Sequence, residues 1–168
     1  MDYNDAKKYA KAIKKGIRSD ENKFKLNIVG SLARKEDKIK DIDFLLTTDR
    51  FKEDMLETLY FTEASNIVIT KKYGCGDRKC SLKILLKKYD KSLKIDIFYS
   101  TKIEEPFAML AWIGPRLYNI RLRNKAKTRG LLLNQYGLYK NDKRIRNIKT
   151  QSDIQRYIDV TVRSPTQR

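Results

Sequence analysis

Asp41 and Asp43 bracket Ile42 at the head of an apolar stretch, Ile42-Asp-Phe-Leu-Leu46. A strand has a side-chain period of two, so both carboxylates point the same way. A spacer from Leu32 to Lys40 separates them from Gly30-Ser31, which follow the strand-like run Phe24-Lys-Leu-Asn-Ile-Val29. The Gly-Ser pair predicts a tight turn, with Ser31 capping a short helix over about 32–36. Backbone N–H groups at such a helix start form an anion site, and Arg34, one turn on, adds a bidentate grip on phosphate. A third carboxylate, Asp96, lies in Leu93-Lys-Ile-Asp-Ile-Phe98, where Leu93, Ile95 and Ile97 alternate with Lys94, Asp96 and Phe98. A lone Asp in so apolar a strand is costly unless it is paired or metal-bound. If that strand lies beside Ile42–Leu46, Asp96 joins Asp41 and Asp43 around two divalent cations roughly 3.5–4 Å apart. A phosphate cradle beside such carboxylates is what metal-assisted phosphoryl transfer from a nucleotide needs.

Composition narrows the chemistry further. The 168 residues hold no histidine, which excludes a Ser-His-Asp triad, histidine zinc sites and histidine acid–base catalysis. Carboxylates, metals, Arg and Lys must carry the reaction. The 38 Lys+Arg against 21 Asp+Glu give a net charge of +17 and a pI near 9.8. That balance suits a polyanionic partner, nucleic acid first, although a lysine-rich genome would inflate the same count. The length fits one domain or one core with an appended lobe, and 40% hydrophobic residues support a real core. No stretch approaches the length of a membrane span, and the charged N-terminus carries no apolar segment of the signal-peptide kind.

Elements can be placed around these residues. Asp2 to Ser19 reads as a helix with Tyr3, Ala6, Ala10, Ile13 and Ile17 on one side and Lys7, Lys8, Lys11, Lys14 and Lys15 on the others. It is either an amphipathic cover helix with a solvated face or a basic edge that meets DNA phosphate. Strands follow near 24–29 and 42–47, then a helix from about 51 to 60, a hairpin over 66–88 and a strand over 92–99. Pro106 marks a boundary, after which Phe107–Ile113 is an apolar helix and Gly114-Pro115 opens a basic one running to about Arg129, with Gly130 as C-cap. On that helix Arg116, Arg121 and Arg123 share a strongly cationic face, joined by Lys125. Asn141-Asp142 reads as a turn, Thr150 or Ser152 caps the last helix, and a loose tail follows. Cys75 and Cys80 sit between strand-like runs, so a hairpin could bring them close enough to bond. With no third or fourth soft ligand zinc is implausible, and because cytosolic thiols stay reduced, free thiols stand slightly ahead of a disulfide.

Gly-Ser, a spacer, Asp-x-Asp and a later strand Asp make a pattern that resembles the nucleotidyltransferase superfamily, and within it the family X DNA polymerases related to polymerase β. It maps to Gly30, Ser31, Asp41, Asp43 and Asp96. The resemblance runs from about residue 24 to 168. Trp112-Ile-Gly-Pro-Arg-Leu-Tyr-Asn119 looks like the family's Tyr-Phe-Thr-Gly segment and its helix, and Leu133–Tyr139 like its Asn-Glu-Tyr strand. Ser152–Ile158 with Arg163-Ser-Pro165 looks like its closing helix and tail. Gly-Ser-Leu, Arg-Lys-Cys and Asn-Gln-Tyr-Gly-Leu are most like a short viral member.

The resemblance implies an α+β fold: a nucleotidyltransferase palm, residues 1–105, made of a mixed β-sheet with covering helices, and a small α/β C-terminal lobe, residues 106–168. It leaves no room for the lyase or helix–hairpin–helix domains of larger members. It implies that Asp41 and Asp43 bind both metals, Mg²⁺ or alternatively Mn²⁺, and that Asp96 binds the catalytic one near a primer 3′-OH. Gly30, Ser31 and Arg34 would hold the phosphates of the incoming deoxynucleotide. Trp112 aligns with a ring that packs on its sugar, and Asn119 and Arg123 with residues that meet the minor groove, where correct pairs share acceptors. Ala111 stands where the family usually has Tyr, so discrimination against ribonucleotides is weaker or built otherwise. Lys40 stands where larger members carry Gly; it either contacts phosphate or points away. The implied activity is template-directed DNA synthesis at short gaps in base-excision-type repair, without proofreading. The implied partners are gapped or nicked DNA and a deoxynucleoside triphosphate; the chain would be a monomer with no membrane association, in the host cytoplasm or virion of a large DNA virus. The alternatives are a template-independent nucleotidyltransferase acting on RNA or protein, and a nucleic-acid-binding module with an inactive site.

Overall fold

The computed structural model describes residues 1–18, 24–49 and 59–168. It opens on helix α1 (Tyr3–Gly16), whose first turn is closed by Asp2 accepting from the Asp5 N–H. The helix stops at Gly16 rather than running on to Ser19, because Ile17-Arg18 turn extended as β1 and pair with β4 (Tyr60–Phe61). Between these two lie β2 (Lys25–Val29), α2 (Gly30–Arg34) and β3 (Ile42–Thr47). The hairpin of β5 (Ile67–Cys75) and β6 (Lys79–Leu86) follows, then β7 (Lys91–Ser100). The helix expected over 51–60 lies outside the described residues as far as residue 58, and Tyr60 is extended.

The main sheet has the order β2-β3-β7-β6-β5. Only β3 and β7 run parallel, which makes the sheet mixed. Strand alternation then separates its two faces. Ile42, Phe44 and Leu46 of β3, with Leu93, Ile95 and Ile97 of β7, join Ala6, Tyr9, Ala10 and Ile13 of α1 in one core. The intervening residues Leu45 and Phe98 face the other way, where they pack with Val29, Ala108 and Ile113. Asp43 and Asp96 belong to that second set by parity.

The remainder begins with α3 (Glu105–Ile113), which has Pro106 in its first turn, and α4 (Arg116–Thr128). Gly130 lies just past α4 with φ +69°, the left-handed geometry expected of a residue that ends a helix. A small antiparallel sheet, β10-β9-β8, is built from β8 (Leu132–Leu133), β9 (Leu138–Lys140) and β10 (Lys143–Arg144). Asn141 and Asp142 both adopt positive φ at the turn between β9 and β10, as the sequence predicts. The Leu133–Tyr139 segment is not one continuous strand: Asn134 Oδ1 accepts from the N–H groups of Tyr136 and Gly137 and folds it into a turn. Helix α5 (Gln151–Ile158) is capped by Thr150, with Asp153 closing a capping box. Phe107, Leu110, Leu122, Ala126, Leu138, Ile154 and Ile158 form a separate core. The tail is not loose. Val160 and Val162 pack on that core, and the Arg168 guanidinium donates to Gln151 Oε1 and the Arg163 carbonyl.

Candidate active site

The register between two strands assembles the carboxylates. Asp43 on β3 pairs directly with Asp96 on β7, and Asp41 precedes β3 by one residue on the same side. One oxygen from each of Asp41, Asp43 and Asp96 lies within 4.8 Å of the others, close enough to share a cation. The apolar alternation of β7 fixes only which side Asp96 faces, since Leu93, Ile95 and Ile97 join the α1 core; the pairing with Asp43 comes from how β7 docks on β3.

Gly30 is the residue that makes room. It has φ +65°, and a Cβ there would lie 2.0 Å from Asp43 Oδ2. Helix α2 starts at this glycine, with Val29 as the residue before it and no side-chain cap. The cap expected of Ser31 is absent: Gly30, in the left-handed region, makes the entry into α2, and Ser31 follows it within the first turn. Arg34 ends α2. Its guanidinium donates to Glu36 Oε1 through Nε (2.8 Å) and Nη2, and through Nη1 to the Ile113 carbonyl at the end of α3. The phosphate grip expected of Arg34 thus faces competition from the Glu36 carboxylate.

A cleft of about 660 Å³ lies between the sheet and α4. Gly30, Ser31, Arg34, Asp41 and Asp43 form one side, and Trp112, Arg116, Asn119 and Arg123 the other. The last three recur at steps of three and four, so they occupy one face of α4. Asn119 also donates to the Ala111 carbonyl at 2.7 Å, tying α4 to α3. The other proposed cations fall elsewhere. Arg121 borders a separate groove with Tyr118 and Arg163, while Lys125 and Lys40 are exposed and do not line the cleft.

Several residues of the site carried no label in the sequence. The Trp112 ring stacks on Phe98, with centroids 3.8 Å apart and planes 10° from parallel. Asp96 is held by three groups: Lys79 Nζ at 2.8 Å from Oδ2, Lys94 Nζ at 3.6 Å and the Ser81 hydroxyl at 2.7 Å from Oδ1. Ser81 is the direct cross-strand partner of Asp96, and Lys94 precedes Asp96 by one strand period. Gln135, from the turn between β8 and β9, also reaches the cleft.

These contacts split the two facing carboxyls. Asp43 is pushed up from 3.8 to about 6 by burial first, then by the charges of Asp41 and Asp96, against the opposing pull of Lys79 and Lys94. Burial also works against the charged form of Asp96, yet hydrogen bonds from Lys79 and Ser81 and the charges of Lys79 and Lys94 hold its carboxyl below the usual range. Three converging carboxylates, one of them resisting ionisation, form a site whose charge is relieved by a bound cation. Beside it, Cys75 and Cys80 are cross-strand partners joined by a disulfide, where the compartment argument had set free thiols ahead.

Comparison with known proteins accords with this geometry. Residues 108–168 match the family model described as DNA polymerase beta thumb. The chain is 34% identical over 143 residues to repair DNA polymerase X of African swine fever virus (isolate Tick/South Africa/Pretoriuskop Pr4/1996), spanning 83% of this chain and 79% of that protein. It is 29% identical over 115 residues to the DNA polymerase/3′-5′ exonuclease PolX of Bacillus subtilis, 68% of this chain and 19% of that one. Among solved structures, polymerase beta of Leishmania infantum, in a ternary P/T complex, superposes with a TM-score of 0.77 at 18% identity. That match covers 100% of this chain and 76% of the other, and it shows an α+β polymerase β-like fold.

Proposed function

The chain belongs to family X of the DNA polymerases, and we propose that it is a template-directed repair polymerase that fills short gaps. The observation that carries this reading is the convergence of Asp41, Asp43 and Asp96 in one place, beside a cleft walled by Gly30-Ser31 and by the Arg116–Asn119–Arg123 face of α4.

The donor set fits divalent cations: three carboxylates with hard oxygen ligands, the chemistry Mg²⁺ and Mn²⁺ prefer. Bound there, such ions supply neutralisation of phosphate charge and activation of a hydroxyl nucleophile. The chain's own residues do the positioning. The primer 3′-OH attacks the α-phosphorus of the deoxynucleoside triphosphate, the bond to the β-phosphate oxygen breaks and pyrophosphate leaves. Gly30 and Ser31 hold the departing phosphates on backbone N–H groups, and Arg34 adds charge to them on exchanging Glu36 for phosphate. Trp112, backed by Phe98, forms a flat wall for the sugar. Asn119 and Arg123 read the minor-groove edge of the nascent pair, whose acceptors are common to all correct pairs.

We divide the chain at residues 105 and 106, into a catalytic palm and a lobe that meets nucleotide and template. Support comes from two of the cores, one drawing on residues up to Tyr99 and the other on residues from Phe107 onward, while a third, with Leu45, Phe98, Ala108 and Ile113, joins the two parts. The proposed partners are gapped or nicked DNA and a deoxynucleoside triphosphate, with the chain acting as a monomer. Among the described residues no helix is long and apolar enough to cross a membrane. A viral setting is supported by the source of several relatives.

The test is extension of a primer at a single-nucleotide gap with Mg²⁺ and each deoxynucleotide separately, beside an Asp43→Asn control. The reading expects extension that the control loses. Equal extension by both would end it.

A further inference from the structure

Across the sheet from the carboxylates, α1 carries Lys7, Lys11 and Lys15 at successive four-residue steps. The three therefore line one side of the helix, roughly 6 Å apart along its axis. They form a wall of a cleft of about 670 Å³, opposite Lys88, Tyr89 and the turn that includes Ser65 and Asn66. Among the described residues no acidic one lines this cleft. None of Lys7, Lys8, Lys11, Lys15 and Lys88 has a carboxylate partner among the described residues. The Tyr89 ring carries two of these cations, with Lys8 Nζ 4.6 Å and Lys88 Nζ 5.8 Å from its centroid.

This arrangement has a cost. Like charges four apart on a helix repel by roughly 0.2–0.5 kcal/mol per pair. Lys15, in the last turn, is offset by the helix dipole; Lys7 and Lys11 are not. A bound polyanion would remove the repulsion. We propose that the cleft is a second track for the phosphodiester backbone of a nucleic acid, separate from the carboxylate cleft. A nucleic-acid strand presents one charge per roughly 3.4 Å of duplex axis, so the roughly 12 Å spanned by Lys7, Lys11 and Lys15 faces about three to four phosphates of one strand. Tyr89, half-buried and packed on the Tyr9 ring, closes the row and holds Lys8 beside it. An acidic peptide shares the sign of the charge but not its regular repeat. The inference does not rest on activity at the carboxylates, because it concerns the opposite face of the sheet.

The experiment uses the whole chain and no nucleotide. Lysine acetylation is followed by mass spectrometry alone, with a blunt ungapped DNA duplex, with an unstructured single strand, and with poly-glutamate of matched charge. In parallel, the salt dependence of binding to each is measured for the parent and for K7Q/K11Q/K15Q. The proposal expects nucleic acid to protect Lys7, Lys11, Lys15 and Lys88, and the triple variant to flatten the log–log salt slope by about 2–3, since each neutralised phosphate contributes roughly 0.7–0.9. The stronger protector, duplex or single strand, identifies the form bound. Protection equalled by poly-glutamate, unprotected lysines, or an unchanged slope would each overturn it. Failure of gap filling would leave these readouts unaffected, so the two readings fail separately.

Discussion

The Lys79 ammonium lies 2.8 Å from Asp96 Oδ2 and 5.1 Å from the Phe98 ring centroid, so one cation bridges the carboxylate cluster and the aromatic wall of the cleft. It competes with any divalent ion for the same oxygen. Lys79→Gln is therefore expected to lower the Mg²⁺ concentration that half-saturates primer extension, severalfold at pH 8, well above the range in which Asp43 titrates. A Mg²⁺ titration of the extension rate checks this. An unchanged midpoint would mean that the ammonium moves aside at no cost.

Asp43 predicts a pH signature in the metal-free protein. Its carboxyl holds a proton up to about pH 6 when folded but releases it near 3.8 when unfolded. Between those values the folded state binds more protons, so this group makes stability fall as pH rises, and the penalty persists above pH 6. Asp43→Asn should abolish it. In EDTA the variant should be more stable than the parent at pH 8, by on the order of 1–2 kcal/mol after solvent screening, and no more stable near pH 3.5. Saturating Mg²⁺ should reverse the order at pH 8. Melting curves at the two pH values, with and without metal, give the answer.

Gly30→Ala tests the contact beneath the cluster. The new methyl would enter the space of Asp43 Oδ2, and φ +65° is strained for any residue with a Cβ, by about 1–2 kcal/mol. The expected outcome is a stability loss of at least that size, with Mg²⁺-dependent extension reduced tenfold or more because Asp43 is displaced. Urea unfolding and single-turnover kinetics measure the two effects. Full activity with lowered stability would show that Asp43 tolerates the shift.

The sequence exposed this site unevenly, and the reason is physical. Asp41, Asp43 and Asp96 stand out because a carboxylate inside an apolar alternation is a local anomaly. Lys79 and Ser81 do not, because each looks like an ordinary polar residue on a hairpin until register places it beside Asp96. Phe98 was legible only as the outward residue of a strand; its stacking on Trp112 requires α3 to be docked on the sheet. The Ser31 cap failed because the entry into α2 is made by the backbone of Gly30 at φ +65°, beside an Asp43 carboxyl too close for any Cβ. Arg121 and Lys125 were grouped with Arg123 on charge alone, whereas burial of Leu122 and Ala126 rotates α4 so that Arg116, Asn119 and Arg123 face the cleft.

The central claim is that the nucleotide added is dictated by a template. The most direct measurement is single-nucleotide gap filling on four duplexes that differ only in the base opposite the gap, with all four deoxynucleotides present together. The added nucleotide is expected to change with the template base, and Asp43→Asn to add none. The same nucleotide added on every template, or undiminished addition with the template strand omitted, would contradict it and point to a template-independent nucleotidyltransferase.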